Sequence, residues 1–105
     1  KMIVVTTEQI QGKEIKQVIG VISGGTVQSK NIGKDIGAGL KGLVGGEMKS
    51  YTQMMEEARN VALQRLIDKA SDAGANAIVG MRFMTSSIIQ GASEVIAYGT
   101  AVVVE

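Results

Sequence analysis

The 105-residue sequence has no cysteine, no histidine, no proline and no tryptophan. Without cysteine there are no disulfides, thiolate nucleophiles, iron–sulfur ligands or zinc ribbons, and no redox compartment can be inferred. Without histidine there is no Ser-His-Asp or Cys-His triad, no imidazole metal ligand and no neutral-pH proton shuttle. An excess of one charge sign is missing too. The 11 basic and 10 acidic side chains leave a net charge of +1, which removes the basic footprint of a nucleic-acid binder. Long hydrophobic runs are equally scarce. Ile3-Val4-Val5 is far short of the apolar core of a signal peptide, about 7–15 residues. The longest tract, residues 95–104, is about half the length that a spanning helix requires. A cytoplasmic protein with no membrane and no nucleic-acid partner is expected. Lys1 ahead of Met2 reads as an expression remnant, so one domain is expected over residues 2–105.

The elements follow from periodicity. Residues 3–6 form a β-branched run, residues 8–14 a polar turn, and residues 15–27 a long Val/Ile-rich strand bent or bulged near its glycines. Over residues 31–46 the period changes. Ile32, Ile36, Leu40, Leu43 and Val44 make one helical stripe, although four glycines weaken it. A second helix is expected over residues 50–73, with a Ser50/Gln53 capping box, a stripe from Tyr51 to Ala70, and Gly74 as its terminator. Residues 76–85 follow as a strand with Ala77, Val79, Met81 and Phe83 on one face and Ile78, Gly80, Arg82 and Met84 on the other. Residues 86–93, with Gly91, read as a hairpin connection, the alternative being strand that continues into Ile88-Ile89. The last strand, residues 95–104, sets Val95, Ala97, Gly99, Ala101 and Val103 against Ile96, Tyr98, Thr100, Val102 and Val104. Its small face invites a closely packed helix. Both of its faces are apolar, unlike a half-solvated antiparallel sheet, so either helices sandwich the sheet or neighbouring subunits cover its second face or edges. A mean hydropathy of +0.18 in so short a chain favours subunits.

Most chemical motifs fail on context. Gly37, Gly39 and Gly42 match G-x-G-x-x-G but lie inside the amphipathic pattern rather than between a strand and a helix. No P-loop is present, since Gly33-Lys34 precedes Asp35 and has Gln28 at the position of the first glycine. Met54, Met55, Met81 and Met84 suit core filling better than soft-metal ligation, and Glu56-Glu57 diverge around a helix. Two residues remain as ligand or interface candidates. Arg82 is a lone cation in an apolar strand, to be paired with Glu94 or Glu105 or to join symmetry-related arginines around an anion. Tyr98 carries a mid-strand hydroxyl that needs a partner.

Gly45-Gly46-Glu47-Met48-Lys49-Ser50-Tyr51 leads into a Glu/Ala/Arg helix, and Gly74-Ala75-Asn76-Ala77-Ile78-Val79-Gly80-Met81-Arg82-Phe83 leads into a strand. With Asp35-Ile36-Gly37-Ala38-Gly39-Leu40 and Tyr98-Gly99-Thr100-Ala101-Val102, these segments resemble the bacterial YbjQ-type family over nearly the whole chain. The resemblance implies a dodecin-like subunit and a ring-shaped homopentamer. It also brings a heavy-metal-binding label but no catalytic residues, and this chain has neither of the ligand types that label calls for.

The expected protein is therefore α+β, with two helices on one face of an antiparallel sheet. It is expected to be a self-associating, non-enzymatic binder of a small ligand or ion, or a scaffold. Catalytic residues and cofactors are none, and no metal ligand is assigned. The rivals are soft- or heavy-metal sequestration and an enzyme built on carboxylates, Lys or Tyr.

Overall fold

The computed structural model describes residues 1–29 and 46–105. Four strands, β1 (Ile3–Val4), β2 (Ile15–Ser29), β3 (Ala77–Ile89) and β4 (Ala92–Val104), form one sheet in the order β1-β3-β4-β2. The pairs β3/β4 and β2/β4 are antiparallel, whereas β1 runs parallel to β3. A single helix, α1 (Gly46–Asp72), is found among the described residues. The expected dodecin-like antiparallel sheet with two helices on one face is thus corrected to a mixed four-stranded sheet with one helix among the described residues. The first expected helix, residues 31–46, lies outside the described residues except for Gly46, the first residue of α1.

The sheet is mixed because β1 and β2 occupy opposite edges. Residues 5–14 must cross from one edge to the other, and they do so over the face away from α1. A turn with Gly12 at φ +80 and a Lys13 N–H bond to the Ile10 carbonyl completes the crossing. Ile10 and Val5 there cover Ala77, Val79, Val102 and Val104, a second small core.

The main core lies under α1. Ala58, Ala62, Leu66 and Ala70 recur every fourth residue and pack on Ile78, Met81, Val95, Ala97 and Ala101. Small side chains on the helix let it lie close to the sheet. The closest approach is at Gly24 of β2, where an added Cβ would sit 2.5 Å from the Leu66 nitrogen. It is not at Gly99, whose added Cβ would meet Ile78, Val79 and Met81 of β3. Ser50 lies inside α1 rather than at its start, since the chain is already helical from Gly46. At the other end Gly74 (φ +91) terminates the helix as expected. The Ala75 N–H bonds to the Ala70 carbonyl and the Gly74 N–H to that of Ser71, the paired bonds of a Schellman motif.

Strands β3 and β4 are longer than expected. They meet at Gln90-Gly91, so the connection is two residues, not residues 86–93.

Candidate functional site

Register is interrupted once in the middle of β3. Val79 pairs with Thr100 and Arg82 with Tyr98, so β3 spends an extra residue there, with Gly80 at φ +63. This bulge overturns the expected faces of β3. Ile78 and Met81 point to α1, while Val79 and Arg82 share the opposite face with Tyr98 and Thr100. Without the bulge, strict alternation would have put Met81 on the face of Val79.

The two candidates from sequence are therefore cross-strand neighbours on the sheet face away from α1. Arg82 is exposed, and its Nη1 donates to the carbonyls of Thr6 (2.8 Å) and Met81 (2.9 Å). Carbonyls from the crossing segment and from β3 thus take the place of the expected carboxylates. Glu94 is four residues from Tyr98 along β4, roughly 13 Å away at strand rise. Glu105 instead pairs its backbone with Glu14. Tyr98 is 38% exposed. Its hydroxyl has no hydrogen-bond partner among the described residues. Beside the pair lies a half-open depression of about 490 Å³, lined by Arg82, Tyr98, Thr100, Val18, Val102 and Glu8 among others. Val18 and Glu8 were missed from sequence because only the β2/β4 register and the crossing segment bring them here. The Val18–Val102 pairing is set by the register of the two strands.

The second notable surface is the far end of the sheet. From Phe83 to Ile89 the outer edge of β3 has no described strand beside it, and neither has the outer edge of β2, where Arg65 donates to the Gly25 carbonyl. Val27, Met84, Ile88 and Ile89 are all at least half exposed there, and Val21, farther along β2 opposite Thr100, is 82% exposed.

Together these features define a small α+β chain with one described helix across a mixed sheet and open apolar edges. The chain belongs to the YbjQ family, whose model, described as "Putative heavy-metal-binding", matches residues 2–105. It is 57% identical to a UPF0145 protein of Vibrio campbellii over 96% of this chain and 97% of that one. It is 58% identical to a UPF0145 protein of Clostridium perfringens over 99% and 98%. A crystal structure of a Pediococcus pentosaceus protein with unknown function covers 99% of this chain and 98% of its own, with a TM-score of 0.61 at 21% identity. That likeness concerns the fold.

The residues present do not fit the metal in the family's description. Tight zinc and copper(II) sites are built from thiolate and imidazole, which the sequence lacks. Among the described residues no three carboxylates come together. Of the described thioethers, four are engaged in packing and Met84 is 53% exposed. Met2, Met55 and Met81 join the main core and Met54 is buried on α1, whereas Met84 stands on the other sheet face. No described helix is long and apolar enough to cross a membrane.

Proposed function

We propose that the protein is a non-enzymatic homopentamer in which copies join through the open sheet edges, serving as a binding or scaffold protein. The observation that carries the reading is the stretch of β3 from Phe83 to Ile89, which exposes Phe83, Met84, Ile88 and Ile89 along an edge that no described strand pairs. Such an edge invites another strand, and β2 offers the complementary one at the opposite side of the sheet. Two different surfaces meeting make a head-to-tail contact, which closes into cyclic symmetry when the rotation allows. The shape supports this. The radius of gyration is 17.2 Å and the extents are 55 × 22 × 18 Å, where a compact domain of this length would have a radius near 13 Å. The number five comes from the family resemblance.

Sedimentation velocity of tag-free protein at low micromolar concentration tests the reading. One species near about 55 kDa, five chains of 11.0 kDa, is expected. A folded 11.0 kDa monomer overturns it.

A further inference from the structure

We infer that the depression beside Arg82 binds a small organic monocarboxylate with an apolar body. A guanidinium has five N–H donors in a fixed fork. Nη1 of Arg82 is committed to the Thr6 and Met81 carbonyls, which hold the group in place. Nε and Nη2 remain, and they form the edge that grips a carboxylate through two parallel bonds. Among the described residues no side chain is hydrogen-bonded to that edge. Among the described residues the one ion pair joins Lys16 to Glu14, so the Arg82 charge is not neutralised within the described chain.

The rest of the depression selects the body of the ligand. Val18 is 64% exposed and is the open contact for hydrocarbon, while Val79 and Val102 line the depression as buried backing. Tyr98 and Thr100 line the same depression. A volume of about 490 Å³ is in the range of small-molecule sites. Glu8 lines the same depression and repels a second negative charge, which favours a monoanion over a phosphate dianion. The anchored guanidinium also saves the ordering cost that a free arginine would incur on binding.

The test is a calorimetric titration of the full chain with octanoate, with octanamide (same tail, no charge) and inorganic phosphate (charge, no tail) as controls. Octanoate should bind saturably with one site per chain, octanamide about tenfold more weakly or worse, and phosphate without saturation. In NMR spectra octanoate should shift the ring resonances of Tyr98 and leave those of Tyr51 in place. Arg82→Gln should weaken octanoate about tenfold, and Arg82→Lys, which keeps the charge but not the fork, should recover only part of the loss. Arg82 also anchors the crossing segment, so Glu8→Gln supplies an independent reading. It should tighten octanoate about twofold to threefold by removing a like charge. Equal binding of octanoate and octanamide, absence of saturation, or an affinity indifferent to both Arg82→Gln and Glu8→Gln overturns the inference. Sedimentation of the same samples separates the two proposals. Octanoate binding by a monomer removes the assembly and keeps the site, and a pentamer that ignores octanoate does the reverse.

Discussion

Two adjacent glycines of β2 show how differently one residue type can be constrained. A Cβ on Gly24 would lie 2.5 Å from the Leu66 nitrogen, 2.8 Å from the Arg65 carbonyl carbon and 2.9 Å from the Ala62 oxygen, all helix backbone that cannot rotate away. A Cβ on Gly25 would meet only Ile96 and the Val95 oxygen, both at 3.4 Å. Gly24→Ala should therefore cost about 1–3 kcal/mol in chemical denaturation, while Gly25→Ala stays within about 0.5 kcal/mol of the parent. Gly99→Val should cost a similar 1–3 kcal/mol, approximately, because Ile78 and the β3 backbone already crowd that position. The small face of β4 was legible in the sequence, but its explanation was not. Ala97 and Ala101 do lie under α1, whereas Gly99 accommodates the bulged neighbour strand, and long-range register decides between those causes. The donor inventory makes a further prediction at this scale. With no thiolate or imidazole, tag-free protein titrated with zinc in a calorimeter should show no site tighter than micromolar, and stoichiometric nanomolar binding would refute it.

Helix α1 was the most legible element, since its stripe of Ala58, Ala62, Leu66 and Ala70 and its glycine terminator are local features of the chain. Its start was misplaced because a Ser-x-x-Gln spacing also occurs inside helices, and here Ser50 does so. Leu66 is the one large side chain among the fully buried positions of α1. Leu66→Ala should cost about 2–5 kcal/mol, seen as a lower denaturation midpoint with the slope unchanged. A smaller loss would mean that α1 settles toward β2, as its alanine stripe and the Gly24 contact would permit. Strand β3 was read correctly as a strand and wrongly in its faces. Gly80 was the available signal, since an isolated glycine within a strand often marks a bulge. Its consequence is functional, because the extra residue turns Arg82 toward Tyr98. The parallel pairing of β1 had no local signal at all. It follows from where residues 5–14 travel, and a two-residue strand cannot announce its partner.

At the scale of the whole molecule, the apolar character of both sheet faces has two separate explanations. One end of the second face is covered within the chain, where Val5 and Ile10 lie over Val79, Val102 and Val104. The other end is open, with Ile89 at 67% exposure, and so is the β2 side of the sheet, where Val21, opposite Thr100, is 82% exposed. That difference yields a prediction that a monomer and an assembly answer in opposite ways. In a monomer, Val21→Lys and Ile89→Lys replace solvated side chains and should change stability by no more than about 0.5 kcal/mol. In the assembly proposed above, each would bring a charge to a joined edge, the same device by which natural edge strands repel partners. The expected result is that the double variant sediments as a smaller species and melts lower than the parent. The parent's melting temperature should also rise with protein concentration, because unfolding is linked to dissociation, while that of the double variant stays flat. A parent whose melting temperature ignores concentration over a hundredfold range, approximately, and a double variant indistinguishable from it, would mean that the edges stay open in solution. The exposed valines and isoleucines would then be an unassembled surface, and the extended shape the chain's own.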